Sequence, residues 1–455
     1  TINIGVAGIG GRGGAHINEF CSMKGVRVTY LIDTDKRFWP RCVKQVEGKG
    51  GNTPKCVQDV RKALEDKDLN AISIATPNHW HSLMSIWACQ AGKDVYVEKP
   101  CSHNIHEGRI LVETARKYGR IVQHGTQQRT GVKGPTIHAL VKKGVYGKLL
   151  ASRGLCYKAG GGGTTRGDIG AKELKEPPPE LDFDLWLGPA PRQPYHENIV
   201  HYRWHWFWDF GNGDIGNQGV HEMDIARWVI PGATLPKSVV SVGLRYPKDQ
   251  GQTPNSMVTV MDFGETQLIF EVRGLPSDAY FGEEIGNILH FEAGVVKFER
   301  RGSTLRFYPK GEGEGQLVPK VEIEREGAGD RGHFANFIAA VRSRKVEDLN
   351  APIIEGHLSA ACCHLPNISY RVGEDKPFTP RTNVFGDNKL ANESLERMEQ
   401  YFVKNGAKLD EVKLRVGKPL RFDPATEKFV GNEPEATALL TRKPRPPFVV
   451  PDKVV

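Results

Sequence analysis

The sequence predicts an α/β protein with an N-terminal parallel sheet, followed by a C-terminal α+β domain with an open, mostly antiparallel sheet. Residues 1–125 alternate short apolar runs with helix-compatible segments, a pattern typical of parallel strands covered by helices on both faces. Beyond residue 125, apolar runs follow one another with turns between several of them, which favours antiparallel pairing.

A glycine motif follows the first predicted strand. Gly8, Gly10 and Gly13 have the spacing G-x-G-x-x-G and open a helix-compatible segment. In this context the glycines allow a tight turn, a close approach to a pyrophosphate and close helix–strand packing, respectively. Asp33 follows about 20 residues later, where a carboxylate accepts hydrogen bonds from the adenosine ribose. The motif therefore predicts a Rossmann dinucleotide-binding fold.

Asp33 also favours NAD over NADP, because a carboxylate repels the 2′-phosphate of NADP. Lys36 and Arg37 are near enough in the sequence to neutralise such a phosphate. NADP therefore remains the alternative cofactor.

The remaining elements follow from apolar runs and helical periodicity. The predicted strands of the first sheet are 2–7, 26–32, 55–57, 71–75, 94–97 and 121–123, and helices between them include 80–91 and 104–117. The predicted strands of the second sheet are 149–157, 237–245, 257–263, 267–272 and 295–300. Residues 330–372 and 392–405 are predicted to be helical, and the glycine-rich stretch 160–170 and proline-rich stretch 177–194 to be loops.

These patterns predict three regions in a chain of 455 residues. Residues 1–125 form the nucleotide-binding domain, 126–372 a substrate-binding α/β domain, and 373–455 a tail that wraps the body.

Composition restricts the partners. The chain has 62 basic and 54 acidic residues, but they are mixed and form no basic block of the kind that binds nucleic acid. No apolar run is long enough to span a membrane, and the eight scattered cysteines favour a reducing compartment. We therefore expect a cytoplasmic protein that binds neither nucleic acid nor membrane. The sequence does not start with Met, so a signal peptide that has been removed, and with it a periplasmic location, remains the alternative.

Three further motifs carry reactive side chains. Thr76-Pro-Asn-His-Trp-His81 follows the fourth predicted strand, Glu98-Lys99-Pro100 follows the fifth, and 211–224, which contains His221, opens a helix in the second domain. Together with the glycine motif, in this order, they resemble the Gfo/Idh/MocA oxidoreductases, named for glucose–fructose oxidoreductase and inositol dehydrogenase. The resemblance covers residues 1–372.

The resemblance implies hydride exchange between the nicotinamide and a hydroxyl-bearing carbon of a sugar, polyol or glycoside. It implies that Lys99 and His221 are catalytic. A lysine ammonium stabilises the developing alkoxide, and histidine exchanges a proton near neutral pH. The expected cofactor-binding residues are Gly8, Gly10, Gly13, Asp33, Thr76, Asn78, Glu98, Lys99 and Gln127. The expected substrate-binding residues are Lys99, Arg129, Arg203, Trp204, His205, Trp206, Trp208, Asn217 and His221.

The sequence departs from the family pattern at Asn217, four residues before His221, where an aspartate is common. We expect Asn217 to orient a substrate hydroxyl and to transfer no proton, with Asp214 and Asp224 as candidates to compensate. The aromatic segment 202–209 offers indole faces to sugar C–H groups, and a core or subunit-interface strip is the alternative interpretation.

Two other functions stay open. The first is NAD-dependent glycoside hydrolysis by transient oxidation and elimination, which Asn217 favours slightly. The second is a non-catalytic sugar or cofactor sensor, against which the presence of both Lys99 and His221 counts. No recognised metal signature is present, so we expect no metal, and we expect a homo-oligomer, either a dimer or a tetramer.

Overall fold

The computed structural model describes residues 1–159, 166–299, 305–310, 313–323 and 332–454. It confirms the predicted α/β class, with a parallel sheet followed by a mostly antiparallel one. Three predicted segments lie partly outside the described residues: the glycine-rich stretch at 160–165, the strand 295–300 at residue 300, and the helical region 330–372 at 330–331.

The first sheet has six parallel strands in the order β3-β2-β1-β4-β5-β6. Its strands are β1 (Ile2–Ala7), β2 (Val26–Ile32), β3 (Lys55–Val57), β4 (Ala71–Ile74), β5 (Asp94–Val97) and β6 (Val122–His124). Its helices are α1 (Gly13–Cys21), α2 (Trp39–Gly50), α3 (Val60–Leu64), α4 (Asn78–Gln90) and α5 (Ile105–Lys117). Every residue of β4 and β5 is buried, as expected for central strands covered on both faces. The strand order reverses between β1 and β4, which opens a crevice at their carboxyl ends.

The second sheet is mixed. Its strands are β7 (Leu149–Tyr157), β8 (Ser238–Leu244), β9 (Ser256–Asp262), β10 (Gln267–Arg273), β11 (Ile285–Phe291), β12 (Gly294–Glu299), β13 (Leu305–Pro309), β14 (Gln316–Leu317), β15 (Glu374–Pro377), β16 (Lys413–Val416), β17 (Leu420–Asp423) and β18 (Lys428–Phe429). Their order is β14-β13-β12-β11-β7-β10-β9-β8-β16-β15; β17 also pairs with β8, and β18 pairs with β17. Over the described strands of this sheet, β7 and β10 run parallel and the other pairs are antiparallel.

Helices cover both faces of this sheet. The remaining helices of the chain's described part are α6 (Lys133–Lys142), α7 (Phe183–Leu187), α8 (Gly219–Trp228), α9 (His333–Ser343), α10 (Ile353–Arg371), α11 (Lys389–Lys404) and α12 (Pro434–Ala438). Of these, α8 and α10 lie on one face of the second sheet and α11 lies on the other. Alternate residues of β9 separate the two layers: Met257 and Met261 pack in the cluster that contains α8 and α10, whereas Val258 packs in the cluster that contains α11. No helix in the described ranges is long and apolar enough to cross a bilayer.

The sequence pattern missed β11, which lies between β12 and β7. Polar residues interrupt its apolar run, and Asn287 is buried there. Its side-chain Nδ2 donates to the carbonyl oxygens of Glu222, at 2.8 Å, and Arg153, at 3.2 Å. A buried amide satisfied by distant backbone groups leaves no periodic signal in the sequence.

Helix α9 packs against the first sheet, although the predicted division assigns it to the second domain. Phe334 stacks on Tyr96 of β5 with ring centroids 4.6 Å apart, and Phe337 lies in the same cluster. This contact holds α9, which follows β14 in the chain, against the first sheet.

The C-terminal region contacts both sheets. Strands β15 and β16 extend the second sheet, whereas Phe448 packs against Trp80 on α4, with ring centroids 5.5 Å apart. Arg442 donates to the carbonyl of His79, also on α4, at 2.8 Å. The end of the chain therefore returns to the helix that follows β4.

Candidate active site

A cavity of about 800 Å³ lies between the carboxyl edge of the first sheet and the N-terminus of α8. Its described walls include the glycine turn, the ends of β2, β4 and β5, and segments of the second domain. A cavity of this volume accommodates a small molecule or an organic cofactor. Eight predicted cofactor residues line it: Gly8, Gly10, Asp33, Thr76, Asn78, Glu98, Lys99 and Gln127.

A Cβ atom would clash at each of the three motif positions of the glycine turn; at Gly10 it would lie 2.7 Å from the ring of Phe38. Gly8 has φ +79°, and a Cβ atom there would lie 2.5 Å from the backbone of Ala75. A Cβ atom on Gly13 would lie 2.3 Å from the carbonyl oxygen of Gly8. Gly11, by contrast, faces open space. The turn thus packs tightly against the sheet and leaves its outer side free for a phosphate group.

Asp33 lies at the end of β2, beside this turn. Its carboxylate accepts hydrogen bonds from the backbone N–H groups of Ile9 and Asp35, both at 2.9 Å. Burial raises the pKa of Asp33 to about 6, although those N–H groups oppose the shift. Arg37 bonds the carboxylate of Asp35, at 2.9 Å, and lies outside the cavity lining, as does Lys36.

Glu98 is buried at the end of β5 and is fixed by several donors. Its Oε1 accepts from Arg12 Nε at 2.9 Å and lies 3.0 Å from His16 Nε2. Burial raises the pKa of Glu98, but His16 and Arg12 outweigh that effect and hold the pKa well below its usual range. The side-chain amide of Gln127 is 3.4 Å from the same oxygen. Glu98 is therefore a fixed carboxylate.

Lys99 follows Glu98 and points towards the second domain. Its Nζ donates to the main-chain oxygen of Asn217 at 2.9 Å and to the side-chain oxygen at 3.2 Å. Burial lowers the pKa of Lys99 to about 8; Glu98 raises it, and the nearby charge of Lys158 lowers it further. His221, in the first turn of α8, lines the same cavity. The predicted catalytic pair therefore shares one cavity with the glycine turn.

The segment before α8 is held against the first domain. Asn78 Nδ2 donates to the carbonyl oxygen of Gly216 at 3.2 Å and to Asn212 Oδ1 at 3.3 Å. Helix α8 begins at Gly219, so Asn217 lies in the preceding turn and not in the helix. Asn217 lines the cavity beside Lys99.

The two aspartates considered as substitutes for the missing carboxylate lie elsewhere. Asp214 is buried in an ion pair with Arg166 at 2.8 Å, and Asp224 in one with Arg129 at 2.8 Å. Neither aspartate lines the cavity, and neither does Arg129.

The fold places the three tryptophans of the aromatic segment in different environments. Trp204, in the 3₁₀ turn Arg203–Trp206, lines the cavity, whereas Trp206 is fully buried. The ring of Trp208 lies under the guanidinium of Arg371, 4.8 Å from its carbon, outside the lining. His205 and Arg203 also lie outside it; their side chains bond the carbonyl oxygens of Tyr202 and Ile169, at 2.8 and 3.2 Å.

Several lining residues were not among the predicted site residues, including Arg12, Gln128, Lys158, His201, Tyr202 and Gln218. Lys158 comes directly after β7, and Lys99 comes one residue after the end of β5. The position of Lys158 at the end of a predicted strand was therefore a signal in the sequence that it could reach the site.

Two histidines are bonded to other protein groups: His201 to Asp35 at 2.8 Å, and His79 to the carbonyl oxygen of Trp186 at 2.8 Å. Among the described residues, no group of three histidine, cysteine or acidic side chains is arranged to hold a metal ion.

Comparison with known proteins agrees with the fold. Residues 2–126 match the family model described as an oxidoreductase family with an NAD-binding Rossmann fold, and residues 135–260 match the same family's C-terminal alpha/beta domain. A Glycosyl hydrolase family 109 protein of Shewanella pealeana is 27% identical over 154 residues, 33% of this chain and 34% of that protein. The chain thus matches about a third of the length of these curated relatives.

Solved structures share the fold over more of the chain. The WlbA dehydrogenase from Bordetella pertussis, in complex with NADH and UDP-GlcNAcA, has a TM-score of 0.56 and 16% identity, covering 79% of this chain and 94% of its own. A levoglucosan dehydrogenase in complex with NADH and L-sorbose has a TM-score of 0.57 and 16% identity, covering 80% and 96%. Since the models of both domains match in order and the fold is shared, the chain belongs to the Gfo/Idh/MocA family of oxidoreductases with an NAD-binding Rossmann fold.

Proposed function

We propose that the protein is an NAD-dependent oxidoreductase that transfers hydride between the nicotinamide and a hydroxyl-bearing carbon of a sugar, polyol or glycoside. The observation that carries this proposal is the shared cavity: Lys99 and His221 face the space that opens onto the glycine turn. Family membership and sugar-bound structural neighbours support it.

The residues of the first domain fit a dinucleotide. The open side of the turn at Gly11 receives the pyrophosphate, and Asp33 accepts from the adenosine ribose. Glu98, held as a carboxylate, accepts from the nicotinamide ribose. Bound NAD supplies the hydride acceptor, which this set of side chains does not itself provide.

Lys99 and His221 perform the proton and charge chemistry. An alcohol loses its hydroxyl proton as hydride leaves carbon, so a base and a cation are needed at the same oxygen. His221 takes the proton, and the ammonium of Lys99 stabilises the negative charge that develops. The contact with Asn217 holds Lys99 towards the substrate space.

Asn217 and Trp204 position the sugar. The side-chain oxygen of Asn217 accepts from Lys99, which leaves its NH₂ group to donate to a substrate hydroxyl. Trp204 provides an apolar ring for the C–H face of the sugar.

A second candidate function is NAD-dependent glycoside hydrolysis, which the named relatives favour. In that reaction a transient ketone acidifies the neighbouring C–H, the glycosidic bond is eliminated, water adds, and the returned hydride restores the sugar. The cofactor is regenerated in each turnover.

One assay separates these functions. The protein is incubated with NAD and a panel of sugars and aryl glycosides, and NADH absorbance and released aglycone are both followed. We expect NADH in proportion to oxidised sugar. Aglycone without net NADH would establish the hydrolase, and NAD binding with neither product would establish the sensor.

We propose a homo-oligomer, a dimer or a tetramer, which light scattering tests. The eight cysteines are all free thiols, which supports the proposed cytoplasmic location.

A further inference from the structure

Two lysine ammonium groups face the substrate part of the cavity. Lys158, directly after β7, donates to the side-chain oxygen of Gln218 at 3.1 Å. Lys99 donates to the side-chain oxygen of Asn217 at 3.2 Å. Their acceptors are consecutive residues at the entrance to α8, so the two cations are anchored at neighbouring points of one wall.

Neither cation has a carboxylate partner within the part of the chain that the structure describes; the recorded acceptors are neutral amide oxygens. The carboxylates that line the cavity are bonded to other groups of the protein. Glu98 is bound by Arg12 and His16, and Asp33 by backbone N–H groups. Asp59 pairs with Arg61 at 2.7 Å.

Two buried carboxylates lie nearby and are also bonded to other side chains: Glu222 accepts from the amide of Gln218 at 3.1 Å, and Asp214 pairs with Arg166. Asp214 is bonded by two nitrogens of Arg166, at 2.8 and 3.1 Å. This pair is neutral as a whole, so it does not offset the charge of Lys99 or Lys158. The wall at Asn217 and Gln218 therefore carries the ammonium groups of Lys99 and Lys158, each bonded to a neutral amide oxygen and not to a carboxylate.

The proposed reaction accounts for one of these charges. Lys99 stabilises the alkoxide, but hydride transfer from a neutral sugar gives Lys158 no partner. A partly buried cation without a counter-charge is unfavourable, and an anionic ligand group removes that cost through a charge-assisted hydrogen bond. Lys158 therefore indicates that the substrate carries a negatively charged group.

Resting on the proposed function, we infer that the substrate is an acidic sugar whose anionic group, a carboxylate or a phosphate, binds to the ammonium of Lys158. Gln218 orients that ammonium, and Lys99 stays available to the reacting hydroxyl. The carboxylate of a sugar acid and the phosphate of a sugar phosphate share this chemistry, so the test contains both.

The experiment uses the full chain with NAD and matched sugar pairs: glucose with glucuronate and with glucose 6-phosphate, and galactose with galacturonate. It measures kcat/KM from NADH formation and, with NADH bound, sugar affinity by calorimetry. We expect at least one acidic member to exceed its neutral counterpart by about ten-fold or more, the strength of one hydrogen bond to a charged group. Added salt should reduce that preference.

Lys158→Met tests the assigned residue, because methionine keeps an unbranched chain and removes the charge. We expect it to lower kcat/KM and affinity for the acidic sugar about ten-fold more than for the neutral one. Lys172→Met, at an exposed lysine, is the matched control and should leave the preference intact.

The outcomes separate this inference from the proposed function. No acid preference, or equal losses for acidic and neutral sugars in Lys158→Met, overturns the acidic substrate and leaves the dehydrogenase standing. Acid-selective binding that depends on Lys158, without NADH formation or any redox product, supports the anion site and overturns the dehydrogenase. Absence of sugar binding in both assays overturns both.

Discussion

The ammonium nitrogen of Lys99 lies 3.2 Å from the side-chain oxygen of Asn217, across the boundary between the first sheet and the segment that leads into α8. An aspartate at this position would form an ion pair with Lys99. The neutral amide accepts the hydrogen bond without adding charge, so burial remains the largest influence on Lys99 and lowers its pKa to about 8. A carboxylate at position 217 would instead favour the ammonium form of Lys99.

The first prediction concerns this pair. If the ammonium form of Lys99 is needed, kcat for sugar oxidation should fall as the pH rises through about 8, because deprotonation removes the charge. Asn217→Asp should move this fall about one pH unit or more upward, since a carboxylate favours the charged lysine. Asn217→Leu is the comparison variant and should mainly raise KM. An unchanged pH profile in Asn217→Asp would contradict the electrostatic coupling.

The second prediction concerns catalysis. Lys99→Ala and His221→Ala should each lower kcat by about 100-fold or more, the usual effect of removing a group that transfers a proton or stabilises charge. The dissociation constant for NAD, measured by calorimetry, should change little. Turnover close to that of the unaltered protein in either variant would refute the assigned pair.

The third prediction concerns Asp33 and pH. Its pKa of about 6 in the free protein means that it is protonated below that pH, and a protonated carboxyl accepts ribose hydrogen bonds poorly. NAD affinity should therefore be constant above about pH 7 and weaken by up to about ten-fold per unit below pH 6. Asp33→Asn should remove most of this dependence.

The same carboxylate should select the cofactor. Asp33→Ala should weaken NAD binding and reduce the discrimination against NADP, because the repulsion of the 2′-phosphate is lost. Preference for NADP in the unaltered protein would contradict the assignment of Asp33.

The fourth prediction separates two tryptophans that are two residues apart. Trp204→Ala should raise KM for the sugar, with a small change in the free energy of unfolding, because Trp204 lines the cavity. Trp206 is fully buried, so Trp206→Ala should lower the free energy of unfolding by about 3–5 kcal/mol. Denaturant melts and steady-state kinetics on both variants provide the comparison. Equal effects of the two substitutions on KM and on the free energy of unfolding would refute the different roles assigned to the two tryptophans.

The fifth prediction concerns Arg129, which sequence reasoning placed among the substrate-binding residues. It is buried in an ion pair with Asp224 and also contacts Glu355, at 3.0 Å. Arg129→Met should lower the free energy of unfolding by about 3–5 kcal/mol, because it leaves a buried carboxylate unpaired. KM should change little. A large rise in KM without loss of stability would restore its role in substrate binding.

Much of the fold follows from local pattern. The strands predicted at 2–7, 26–32, 55–57, 94–97 and 149–157 coincide with the observed strands, because each is a short apolar run bounded by turn-forming or helical segments. The glycine motif likewise depends on neighbours in sequence and on the strand beside it. Strand β11 escaped prediction because its buried Asn287 is satisfied by backbone groups from β7 and α8.

The sequence by itself determined the order of elements, the nucleotide-binding turn and the loops at which reactive side chains stand, since these depend on residues close together in the chain. Only the tertiary structure decided which side chains meet. It buries Trp206 while Trp204 lines the cavity, commits Arg129 to Asp224, and brings Lys158 to the wall where Lys99 lies. The physical reason is that burial and charge pairing depend on contacts between residues far apart in the sequence, which no local periodicity encodes.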